Sequence, residues 1–175
     1  MMYGRTALLL NIAWLGASSA AIACEVIEKS ADKPWLESHK PVLAEAAALS
    51  TAFGMRHHPL LNEQRMHTGV DWSATLGTPV MAVSPGRVLE VGRKGMHGNI
   101  VLVEHGAGWR TLYAHLSSFD ANVGDCVKSG EVIGKVGKTG LTSGPVLHFE
   151  ILQYGWSIDP MSVPTQTQAA GPGGR

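Results

Sequence analysis

The sequence predicts one all-β domain built from short strands. Three observations carry that prediction. Glycine reaches 21 of 175 residues while only 6% are aromatic, a balance that suits a turn-rich β protein. Short runs of Val, Ile and Leu recur along the chain, each bounded by Gly, Pro, Asn or Asp. No long helical period occurs after residue 50. A chain of this length holds one ordinary core and is short for two.

The first segment reads as an address. Arg5 is the only charge before Glu25, and the apolar run Ala7–Leu15 leads to Ala21-Ile22-Ala23. These are the parts of a secretory signal peptide, assigned to residues 1–23. The run is shorter than the ~20 apolar residues of a membrane span, so no transmembrane span is expected after cleavage. Cys24 follows the cut, and Cys126 is the only other cysteine. Two readings stand: Cys24 carries a lipid anchor, or it pairs with Cys126 in an oxidising compartment. Either places the protein outside the cytoplasm, in the periplasm or cell envelope.

Residues 24–50 read as a linker and helical arm, in which Pro41 opens an Ala-rich stretch from Val42 to Leu49. The domain is expected over residues 51–163. Its strands are expected at Val80–Val83, Gly86–Val91, Asn99–Glu104, Trp109–Leu116, Glu131–Val136 and Val146–Leu152. Residues 164–175 have no apolar face and read as a disordered tail. Lys+Arg and Asp+Glu each total 14, so net charge is zero before the eight histidines. That balance excludes affinity resting on bulk charge, and no nucleic-acid partner is expected.

The histidines are the compositional oddity, and three of them stand in patterns that could do chemistry. His67-Thr-Gly-Val-Asp71 offers an imidazole and a carboxylate, both zinc ligands. In a straight strand, residues four apart lie ~13 Å from each other, so the chain must curl between them, and Gly69 permits it. In Val146–Leu152, alternation puts Val146, His148 and Glu150 on one face and Leu147, Phe149 and Ile151 on a core face. In Tyr113-Ala-His115-Leu116, alternation places Tyr113 and His115 on one face, opposite Leu112, Ala114 and Leu116. A histidine such as His115, beside a metal site and not bound to the metal, could remove a proton from water or stabilise charge building on a carbonyl oxygen. His57 and His58 precede Pro59 in a loop that could line a cleft, and His105 ends a strand in a local hydrogen bond.

Taken in order, these stretches resemble the lysostaphin-type (LytM-like) zinc endopeptidases of bacterial peptidoglycan. The carrying pieces include Phe53-Gly-Met-Arg56, Arg65-Met-His-Thr-Gly-Val-Asp71, Gly77-Thr-Pro-Val80 and Ser84-Pro-Gly-Arg-Val88. They continue with Leu112-Tyr-Ala-His-Leu-Ser117, Gly124-Asp-Cys-Val127, Gly130-Glu-Val-Ile-Gly134 and Leu147-His-Phe-Glu150. The resemblance covers about residues 51–160. It implies a two-sheet antiparallel β sandwich-like domain with a substrate groove. It also implies Zn²⁺ held by His67, Asp71 and His148, with His115 as a catalytic histidine that does not bind the metal.

One position departs from the family pattern. Active members carry His-x-His before Phe-Glu, and here the first of that pair is Val146. Valine moves no proton, and losing a general acid–base group costs ~10²–10⁴ in rate. Two functions follow. One is a zinc-dependent endopeptidase hydrolysing peptide crosslinks of peptidoglycan. The other is an inactive module of the same fold that binds peptidoglycan or regulates another cell-wall hydrolase as its protein partner.

Overall fold

The structure, a computed structural model, describes residues 40–42 and 47–165. The signal peptide, Cys24, His39 and the tail beyond residue 165 lie outside the described residues. The first strands are β1 (Ala48–Thr51), β2 (Gly54–His57), β3 (Gln64–His67), β4 (Val70–Ser73) and β5 (Pro79–Met81). The long central ones are β6 (Gly86–Lys94), β7 (Gly98–Gly106) and β8 (Trp109–Ala114). They are followed by β9 (Ser118–Phe119), β10 (Cys126–Val127), β11 (Val132–Lys135), β12 (Val146–Gln153) and β13 (Trp156–Ile158). Among the described residues the only helical pieces are 3₁₀ turns at Gly95–His97 and Pro160–Ser162, and no helix is long and apolar enough to cross a membrane.

The expected all-β class is the observed one. A large antiparallel sheet runs β1-β4-β12-β8-β7-β6-β10, with β13 on β12, and a smaller sheet runs β5-β11-β9. β2 and β3 form a separate hairpin. The core lies where one face of the large sheet meets the small one. Val70, Val101, Tyr113, Leu147, Phe149 and Ile151 come from the first, and Val80 and Ile133 from the second, all fully buried. The opposite face of the large sheet carries its own apolar group, Ile100, Leu112 and Ala114.

The arm departs from expectation. At its described ends the stretch is extended rather than helical: Val42 bridges to Val80, and Ala48–Thr51 is a strand paired with β4. The open edge of β4 offers backbone partners at once, and Val42 and Ala47 are buried against the core. Residues 43–46 of the arm lie outside the described residues. Cys126 is disulfide-bonded rather than a free thiol.

Candidate metal centre

His67 ends β3, and Thr68-Gly69 carry the chain directly into β4. A Cβ on Gly69 would lie 2.3 Å from the Phe149 carbonyl oxygen and 2.9 Å from its carbon. The glycine is therefore needed for close approach to β12, which holds His67 and Asp71 against the same strand. The register of β4 on β12 sets Asp71 directly opposite His148, and β8 places Ala114 on the other side of His148. A methyl group there leaves the imidazole room above the sheet.

Three donor atoms converge. His67 Nε2 is 3.2 Å from Asp71 Oδ1, His148 Nδ1 is 2.8 Å from the same oxygen, and the two nitrogens are 3.1 Å apart. The far side of each ring is anchored. His67 Nδ1–H donates to the Ala52 carbonyl at 2.7 Å, and His148 Nε2–H donates to Glu150 Oε1 at 3.0 Å. Those bonds fix the tautomers that aim lone pairs at one point. Two neutral imidazoles, each braced from behind, and a carboxylate fit a divalent cation of borderline softness.

Without a cation, a proton takes its place. Burial alone pulls the His148 pKa down, but the hydrogen bonds to Asp71 and Glu150 outweigh it and push the ring up to about 9. Burial would raise Asp71 and Glu150, yet their histidine partners hold both carboxyls well below the usual carboxylate range. Loading a metal at neutral pH therefore displaces the His148 proton.

His115 reaches the same groove by a route that alternation does not give. Tyr113 points into the core, with its ring 5.3 Å from Phe149 and its hydroxyl accepting from Val83 N–H at 3.0 Å. The strand ends at Ala114, and His115 takes a left-handed φ of 61°, which turns its side chain away from Tyr113 and toward His148, 5.9 Å between ring centres. The shared face expected for Tyr113 and His115 is thus overturned, and Leu116 goes to the core rather than beside Ala114. His115 N–H donates to the His97 carbonyl at 2.9 Å, and its Nδ1–H donates to the Thr139 carbonyl at 2.7 Å. Burial pushes its pKa down, so Nε2 is a free base in the groove.

The groove is lined by His67, Asp71, His148, His115 and Val146, and also by Arg56, Arg65, His58, His97 and Thr142. His58 lines it as expected, with Nδ1 accepting from the N–H groups of Leu60 and Leu61 to close the turn. Glu150 was missed by sequence reasoning. Its Oε1 receives His148, Thr68 and, at 3.3 Å, His97, which makes it the brace of the centre. Its place two residues after His148 on one strand face was the available signal.

A family model matches residues 65–160, and it is that of peptidase family M23. The chain belongs to this family. The M23 match spans every residue of the cluster. The chain is 48% identical over 125 residues to the protein named DD-carboxypeptidase/endopeptidase Mpg of Neisseria meningitidis, covering 69% of this chain and 29% of that one. It thus spans under a third of the length of that curated relative. The crystal structure of a zinc containing peptidase from Vibrio cholerae aligns with TM-score 0.68 and 31% identity, over 74% of this chain and 40% of that one. The catalytic domain of lysostaphin from Staphylococcus simulans aligns with TM-score 0.60 and 34% identity, over 66% of this chain and 90% of that one.

Proposed function

We propose that this M23 protein is a zinc-dependent endopeptidase that hydrolyses peptide crosslinks of bacterial peptidoglycan after export to the periplasm or cell envelope. The observation that carries the reading is the convergence of His67 Nε2, Asp71 Oδ1 and His148 Nδ1 on an open groove. The names of the Neisseria and Vibrio relatives support the peptidase activity and the metal.

A bound zinc ion supplies Lewis-acid polarisation of the scissile carbonyl and a water of lowered pKa. His67, Asp71 and His148 would hold it. Glu150 keeps His148 in the ligating tautomer. His115, its ring fixed by the Thr139 carbonyl, would accept at Nε2 the proton that the attacking water gives up.

Val146 favours a second reading, binding or regulation without cleavage. Its side chain lines the groove on the His148 face, and it neither donates nor accepts a proton. One digest decides between the two. Purified sacculi incubated with the wild-type protein should yield new peptide termini by mass spectrometry, and Asp71→Ala should abolish them along with bound zinc. Sedimentation with intact sacculi and no new termini would establish the second reading instead.

A further inference from the structure

The β2–β3 hairpin carries a charge arrangement that the metal centre itself does not use. Arg56 and Arg65 are direct cross-strand partners, so both guanidinium arms leave one face of a two-stranded sheet. Like charges directly opposite each other destabilise a β pair. Alternation puts them on the face of His67, two residues beyond Arg65, and both line the groove.

Their compensation is thin. Arg56 Nη2 stands 3.8 Å from Asp71 Oδ2, and Arg65 Nη1 stands 3.8 Å from the exposed Glu63 carboxylate. Arg65 Nη1 also lies 3.7 Å from Met96 Sδ. Arg56 Nε is buried with no hydrogen-bond partner among the described residues. Ion pairs this long and partly exposed contribute little. Neither arginine has the paired fork-to-carboxylate contact that guanidinium geometry favours.

We propose that Arg56 and Arg65 form a carboxylate-binding subsite beside the metal centre, so that the preferred substrate is a peptide with a free carboxylate close to the scissile bond. The proposal rests on the peptidase reading and names its substrate class. Two strand residues span ~7 Å, the step from His67 to Arg65 and equally the step between alternate residues of an extended peptide. A peptide lying along the groove with its scissile carbonyl at the His67–Asp71–His148 cluster therefore sets a carboxylate one or two residues away against the arginines. That carboxylate relieves the cross-strand repulsion and replaces two loose ion pairs with a forked one. Once Asp71 ligates a cation its charge is shared, which leaves Arg56 still more in need of an anion. Either a chain-terminal α-carboxylate or a side-chain carboxylate supplies the chemistry.

The test is calorimetric binding to the full-length, zinc-loaded protein. Its probes are three uncleavable peptides whose scissile amide is a ketomethylene isostere. One ends in a free carboxylate, one in an amide, and one in an amide with a carboxylate on the adjoining side chain. At least one carboxylate peptide should bind the wild type roughly tenfold tighter than the plain amide, and the tighter one identifies the source. Arg65→Gln should remove that preference, and Arg65→Glu should invert it. Equal binding of all three peptides to the wild type, or equal weakening of all three by Arg65→Gln, overturns the proposal. The same loss of preference in Arg56→Gln at unchanged zinc content assigns the second arginine, whereas loss of zinc there overturns its share. Failure of the peptidase reading registers separately, as sacculi left intact by a protein that keeps the carboxylate preference.

Discussion

His105, half-buried, and His148, buried, are both strand histidines with both ring nitrogens occupied, yet their surroundings give them opposite chemistry. His105, near the end of β7, has Nδ1 2.7 Å from the Pro85 carbonyl and Nε2 2.7 Å from the Thr111 hydroxyl. Thr111 Oγ1 in turn lies 3.1 Å from the Tyr113 hydroxyl. Each hydrogen-bond partner of His105 is neutral, and burial pushes its pKa down. His148 lies between the Asp71 and Glu150 carboxylates, and they override burial. The charge of the partners, not the depth of the ring, decides which histidine is held neutral and which is made basic. A ring among neutral partners gains nothing from a cation, while a ring between carboxylates binds a proton or a metal.

The largest expected break comes at His115, whose ring meets a carbonyl on one side and the groove on the other. His115→Asn is the informative change, because Asn tolerates the left-handed backbone and lacks the base. Cleavage of sacculi should fall ~10²–10⁴-fold with zinc content unchanged. A comparable loss of zinc would instead make His115 part of the metal's support.

Glu150→Gln comes next. It keeps the size of the brace and removes its charge, so His148 keeps Asp71 but loses the second carboxylate that makes it basic and orients it. Zinc affinity measured by competition with a chelator should drop ~10–100-fold. An unchanged affinity would mean that Asp71 alone carries the contrast with His105.

Legibility in the sequence follows the same division between neutral packing and charged site. β6, β7, β8, β11 and β12 were readable because they fall in short runs holding Val, Ile or Leu and bounded by Gly, Pro, Asn or Asp. The β2–β3 hairpin was not, because Gly-Met-Arg-His and Gln-Arg-Met-His hold no β-branched residue. Arg56, Arg65, Met66 and His67 of this hairpin line the groove. The His67–Asp71–His148 grouping followed from residue types and resemblance, and the register of β4 on β12 brings the three together. His115 does line the groove, but from a face that alternation does not give, since a single left-handed residue ends the period that alternation relies on. Glu150 was placed on the right face without a role, because a brace is defined by what it touches and not by its spacing.

The smallest expected effect sharpens the comparison from the other side. His105 has a folded-state pKa below its ordinary value of 6.5, so as pH falls the unfolded chain takes up the proton first. Its contribution to stability is complete above that value and is lost as pH drops through the window beneath it. In the metal-free protein His148 runs the opposite way: its contribution is complete below 6.5 and lost as pH rises through about 9. His105→Gln should lower the unfolding free energy at pH 7 by about 1 kcal/mol, and the difference from wild type should shrink between pH 6.5 and 5. Zinc affinity should stay at the wild-type value, since no atom of that network touches the centre. A difference that instead grows toward pH 5 would mean that the ring is charged where it is buried, and the two histidines would no longer be opposites.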